Sequence, residues 1–437
     1  MESVTLEALP PEIKTVVLYA IPDLPSLNAL VHASPSFHAL YLSQRKQLLS
    51  TILERFLQIP VMVDAVAALL ALRGREERCK APKPGREAVD EFLSKYVPLR
   101  SILDPPYSFS AEKYRGQELD VYQVFASLTE NDLLEVARLH TIVEFILEDM
   151  VHSLLKLRPD TQKPKEENVI LSPSETFRMQ RALYRLEIHR LLFNSRDLPS
   201  FDGLDYFEYV HLDDNDQWSS FLSLFSPWEM EEIRCVLMYM FRAYEELPGA
   251  TVFDDWCELS PDENQDPLSH LYDHKIDDTN REHYVSYGLG FLYHWIQVSS
   301  ITCREERLIK QKAILRGTLS SSAQYILSAL DTDPETEYFM DFGDEGTDGK
   351  TFLSDADWNS PNLAWTWCLI SSTIEDASIE LWRDVLNPLR NWGFLFWDEY
   401  RLREWGFTPK RMIEEQETRH DEPGDTRSDL GEALNNI

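Results

Sequence analysis

The residues best spaced for metal chemistry are His270 and His274, four positions apart, with Asp266, Asp273, Asp277 and Asp278 around them. On a helix that spacing puts both imidazoles on one face, and a carboxylate such as Asp266 can supply a third ligand to a divalent ion. Leu271 follows His270, where a zincin carries its glutamate, so the general base of that hydrolase class is missing. A polar loop or a helix terminus accounts for the same residues without a metal. A metal-dependent hydrolase is therefore a distant third functional reading, and no cofactor is otherwise implied.

Other catalytic patterns fail on spacing or charge. The stretch from Gly343 to Thr351 ends in Gly-Lys-Thr, but its leading glycine lies six positions before Gly349 where a phosphate loop needs five. Asp344, Glu345 and Asp348 in that stretch would repel phosphate. Asp341-Phe342-Gly343 matches a kinase triplet without the glycine-rich loop, lysine strand or His-Arg-Asp loop that give it meaning. Gly288-Leu289-Gly290 lacks the third glycine of a dinucleotide turn. No Gly-x-Ser-x-Gly elbow is present, and fifteen glycines in 437 residues poorly supply the tight turns of α/β enzymes. The five cysteines are more than twenty residues apart, which excludes a CxxC knuckle and fits buried, reduced thiols. The expectation is a protein that is not an enzyme.

The formal net charge of −33 argues against nucleic acid as a partner, because a phosphate backbone selects a basic surface. Much of that charge lies in Asp202–Asp216, Asp254–Asp278 and Asp331–Asp348, which read as solvated loops, with a basic peptide or cation site as the lesser reading. A hydrophobic content of 43% supports a sizeable core. The N-terminus shows no basic-then-apolar leader and no apolar run approaches the ~18 residues of a membrane helix, so the expected location is the cytoplasm or nucleus, with no membrane partner.

The elements that would position any such residues are mostly helical. Residues 57–157 read as a helical segment: an Ala-, Val- and Leu-rich helix from Val61 to Leu72 ends at Gly74, and the charged, Pro- and Gly-containing residues 73–86 read as an exposed linker. Glu87–Tyr96 forms a short helix, and Pro105-Pro106 marks irregular chain. Ser127 and Glu130 have capping-box spacing before an apolar stripe running from Leu133 to Leu155. Residues 169–407 form the helical body. Ser172-Pro173-Ser174-Glu175 and Ser226-Pro227-Trp228-Glu229 are two further starts, each with a cap, a proline in the first turn and a glutamate at the third position. Arg281–Val298 is an aromatic helix, and Trp358–Phe407 carries most of the tryptophans, read as core or as an interaction groove. Residues 408–437 are a charged tail expected to be disordered.

The remaining stretch, residues 5–56, breaks into three short helices. Pro10-Pro11 opens the first and Pro22 stops it; Asp23 and Ser26 cap a second; Ser34-Pro35 opens a third. Leu9-Pro10 followed by Glu12-Ile13, then Val17, Leu18 and Ile21, resembles the opening of an F-box, the three-helix module that docks a Skp-type adaptor of cullin-RING ubiquitin ligases. With one inserted residue near Pro25, Leu27, Leu30, Ala33 and Ser34 take the second-helix positions, and Phe37 stands where the family usually has Trp. The variant is similar to that of many F-box-type proteins of filamentous fungi, which also carry a segment like Leu386–Phe407.

The expected fold is mostly α: the resemblance implies an F-box-like three-helix module, and the helical patterning after it a large irregular multi-helix body with acidic loops. The resemblance also implies a hook made by Leu9, Pro10, Ile13, Val17, Leu18, Ile21, Leu27, Leu30 and Phe37, partners comprising a Skp-type adaptor and a cullin scaffold, and a target protein held by the body. The competing reading is an all-α interaction or scaffold protein with no ligase link, whose hook helices are internal packing.

Overall fold

The computed structural model describes residues 6–57, 59–80, 85–100, 118–158, 169–194, 212, 214–244, 285–297, 362, 364–365 and 389–407. These residues are mostly helical and contain no strand. They fall in two compact units, one from Met1–Met150 and Phe177–Thr332, the other from Val151–Thr176 and Asp333–Ile437.

The first unit begins with a 3-10 turn, Leu6–Ala8, followed by α1 (Pro11–Ala20), α2 (Leu24–Ala33) and α3 (Pro35–Phe56). Proline occupies the first turn of all three helices, where its missing N–H costs nothing. The Asp23 carboxylate accepts from Ser26 N at 2.6 Å, and Ser34 Oγ accepts from Phe37 N at 3.3 Å, so α2 and α3 are capped by their own sequence. Both α1 and α2 pack on α3. The far half of α3 buries Leu48, Leu49, Ile52 and Leu53, and it meets the rest of the unit through the Arg45–Glu130 ion pair and the Phe56–His140 ring contact at 6.2 Å. One long helix is thus the spine of the hook and its attachment to the body.

Next come α4 (Ile59–Lys80), α5 (Gly85–Arg100), α6 (Val121–Ser127) and α7 (Glu130–Leu157). After them lie α8 (Pro173–Phe193), α9 (Asp214–Ser220), α10 (Pro227–Ala243) and α11 (Leu289–Gln297). Where Gly74 was expected to end a helix, α4 runs on to Lys80, and Arg75 and Arg78 within the expected linker are buried. The cause is the C-terminus of α8, whose last carbonyls have no intrahelical donors. Arg75 donates to Asn194 O at 2.7 Å, and Arg78 to Leu192 O at 3.0 Å and Leu191 O at 2.8 Å. Burial, aided by the Arg75 charge, lowers the Arg78 pKa to about 10.

The cap of α7 is not Ser127, which closes α6. Thr129 and Asp132 form the reciprocal pair instead: Asp132 N donates to Thr129 Oγ1 at 3.2 Å and Thr129 N to Asp132 Oδ2 at 3.0 Å. At the expected start at Ser226, Ser226 N donates to Glu229 Oε2 at 2.9 Å, the glutamate half of a capping box, while Ser226 Oγ itself caps nothing. In the described part of the aromatic segment Val285 is helical, the chain breaks at Gly288, φ +82°, and α11 begins at Leu289.

In the second unit, Ser172 N donates to Glu175 Oε2 at 2.9 Å and Glu175 N to Ser172 Oγ at 3.1 Å. Glu175 also accepts from Nε and Nη2 of Arg401, at 2.6 and 2.7 Å, from α12 (Glu399–Glu404). Trp365, Trp392, Trp397 and Trp405 are buried; Trp397 meets Trp405 edge-on at 5.2 Å, and Trp392 stacks on Phe407 at 4.8 Å. The described part of the Trp-rich segment is therefore core.

Candidate functional site

The hook residues divide by position on their helices. On α1, Leu18 and Lys14 point inward, and Ile21 just beyond the helix continues that buried line at the i, i+4, i+7 spacing of one helical face. The opposite line exposes Pro10, Ile13, Val16 and Ala20, with Leu9 and Val17 half-buried at its edges. Leu27 and Phe37 are buried and Leu30 is half-buried. Leu18, Ile21, Leu27 and Phe37 thus hold the three helices together. What the module leaves exposed is an apolar ridge of Ile13 and Val16 on α1, at 47% and 63%, and Leu6 on the preceding turn, at 57%. Leu6 and Val16 did not figure among the expected hook residues, although Val16 lies three positions after Ile13, on the same face.

Lys14 was also missed, and helical periodicity places it with Leu18. Buried at 6% exposure, its ammonium donates to Glu7 O at 2.8 Å and to Ser36 Oγ at 2.9 Å, and lies 5.9 Å from the centre of the Phe37 ring. Ser36 Oγ donates to Glu7 Oε2 at 2.6 Å, and Ser34 Oγ donates to Glu7 Oε1. The Glu7 carboxylate therefore sits at the N-terminus of α3, where the helix dipole favours an anion. The Ser34 and Ser36 hydroxyls, then the Lys14 charge, hold its pKa below the usual carboxylate value against a weaker opposing effect of burial.

A second polar cluster lies in the core of the first unit. Asp64 interrupts the buried apolar run Val61–Leu69 of α4; it accepts from Tyr96 Oη of α5 at 2.8 Å and from Arg185 Nε of α8 at 3.0 Å. Glu229 of α10 takes Arg185 at 2.7 Å and Arg100 at 2.7 Å, while Glu232 holds Arg181 through two bonds of 2.6 Å. Burial would push Glu229 up, but Arg100, Arg185 and Arg181 outweigh it and hold its pKa well below the ordinary value. Burial raises Glu232 and Tyr96. The guanidiniums of Arg100 and Arg185 also lie 4.6 and 4.7 Å from the Phe225 ring. Arg100, Arg181 and Arg185 each engage a carboxylate among Asp64, Glu229 and Glu232, an arrangement suited to fixing helix register.

The weak metal candidates His270, His274 and Asp266 lie outside the described residues. Among the described residues no group of three or more His, Cys, Asp or Glu side chains is arranged to hold a metal ion, and no helix is long and apolar enough to cross a membrane. Comparison with known proteins finds no matching protein family, no curated relative and no similar solved structure.

Proposed function

We propose that the chain is a non-enzymatic, F-box-like substrate receptor of the cytoplasm or nucleus. Its N-terminal module docks a Skp-type adaptor, and through it a cullin-RING ligase, while the helical body holds a protein target for ubiquitylation. The observation that carries this reading is the exposed apolar ridge of Ile13 and Val16, with exposed Leu6 and Pro10 and half-buried Leu9 in the segment before it, none of them part of the buried set Leu18, Ile21, Leu27 and Phe37. Exposed aliphatic side chains aligned on one helix face are the anchors that a helix-in-groove partner requires.

The competing reading, an all-α scaffold with no ligase link, is favoured by the burial of Leu18, Ile21, Leu27 and Phe37, which leaves those four available only for packing. A pull-down with purified adaptor, comparing wild type with Leu9→Ala/Pro10→Ala, separates the two. Adaptor retained by wild type and lost from the variant is expected. No adaptor on the wild-type protein would leave the scaffold reading.

A further inference from the structure

We propose that Glu7, Lys14 and Ser36 are positioning residues that latch the Leu6–Ala8 turn onto α1 and α3 and so fix Leu6, Leu9 and Pro10 at the start of α1 for docking; this rests on the adaptor-docking reading above. The turn has little of its own to hold it. None of Leu6, Glu7 and Ala8 is buried, and the backbone bond from Leu9 N to Leu6 O is a long 3.3 Å. A turn with so little burial frays unless side chains tie it down.

The ties here come from three directions. Lys14 on α1 reaches the Glu7 carbonyl at 2.8 Å, Ser36 on α3 reaches the Glu7 carboxylate at 2.6 Å, and Ser34 adds a second hydroxyl to the same carboxylate. Lys14 and Ser36 are joined at 2.9 Å, so both ends of Glu7 are fixed by one connected set of bonds. Lys14 is the unusual member. A lysine is rarely sequestered without a specific partner, and its position on the inner face of α1 removes it from solvent while leaving the ridge wholly apolar. Ordering a segment on binding costs conformational entropy, so a latched turn spares an incoming partner that cost.

The experiment uses the full chain as wild type, Glu7→Gln, Lys14→Met and Ser36→Ala, together with Ser36→Thr, which restores the hydroxyl. Amide exchange is read across residues 6–10 and across α3–α8, and adaptor binding is titrated in parallel. The expected result is exchange at residues 6–10 faster by about tenfold or more in the first three variants, with α3–α8 unchanged. Adaptor affinity falls about tenfold in the same variants and recovers in Ser36→Thr. Unchanged exchange at residues 6–10 overturns the latch. Faster exchange with unchanged affinity overturns its role in docking and leaves a purely structural contact. A wild-type protein that binds no adaptor removes the docking reading itself, and the exchange measurement then reports separately on whether the latch exists.

Discussion

Replacing Ile13 and Val16 by alanine tests whether the ridge is an interface, because these two side chains contribute little to the module itself. They keep 47% and 63% of their surface in contact with solvent. Burying a whole Val or Ile side chain contributes about 1.5–3 kcal/mol, so covering the exposed fractions adds about 0.7–1.4 and about 0.9–1.9 kcal/mol. Ile13→Ala/Val16→Ala is then expected to weaken adaptor binding by about 1.5–3 kcal/mol, about 10- to 150-fold in Kd, with little change in melting temperature. Leu18→Ala is the contrasting variant. At 2% exposure it is expected to cost about 2–5 kcal/mol of stability through the cavity it leaves, and to affect binding through unfolding of the module. Calorimetric titration with adaptor, alongside thermal unfolding, reads both quantities. Equal affinity of wild type and Ile13→Ala/Val16→Ala for adaptor would refute the ridge as the contact surface.

The buried ionic centre gives a second expectation: Glu229→Gln leaves Arg100 and Arg185 without their shared carboxylate and lowers stability by about 3–5 kcal/mol in urea denaturation. A third concerns pH. Burial depresses the His189 pKa from 6.5 to about 3, against a weaker opposing bond to Gln217 Oε1, so below pH 6.5 the unfolded chain takes up a proton that the folded chain refuses. Its contribution to stability is fully present above 6.5 and declines as pH falls towards 3; His189→Gln is expected to flatten that part of the stability–pH curve. Two glycines should respond with opposite signs. Gly74→Ala, in an exposed helix position with open space for a Cβ, stabilises by about 0.5–1 kcal/mol. Gly393→Ala, at φ +66° with Phe396 Cδ2 at 2.7 Å and Leu154 Cδ1 at 2.8 Å from the new carbon, destabilises by more than about 1 kcal/mol in thermal unfolding.

Much of the helical framework was legible in the residue order because helix starts are local chemistry. Ser34-Pro35 and Ser172-Pro173 each provide a capping oxygen and a first-turn proline within two residues, Ser226-Pro227 provides the proline with Glu229 bonded back to the Ser226 N–H, and a helix begins after each. Boundaries set by distant partners were not legible. Gly74 and the charges after it look like a helix end until α8 offers its bare carbonyls to Arg75 and Arg78, more than a hundred residues away in sequence. Similarly, Asp64 reads as a flaw in an apolar run until Tyr96 and Arg185 meet it.

For the hook, sequence alone determined three amphipathic helices and the line of apolar residues along each, because caps, prolines and period are properties of neighbours in the chain. Only the tertiary structure decided which side of α1 is covered. Packing on α3 buries Lys14 and Leu18 and closes over Ile21, while Ile13 and Val16 are left outside. An apolar stripe specifies that a face should be buried but not against what, since hydrophobic burial has no direction of its own. The choice falls to side chains that do have direction: the Lys14 ammonium and the Ser34 and Ser36 hydroxyls, which converge on Glu7 in a single arrangement of the three helices.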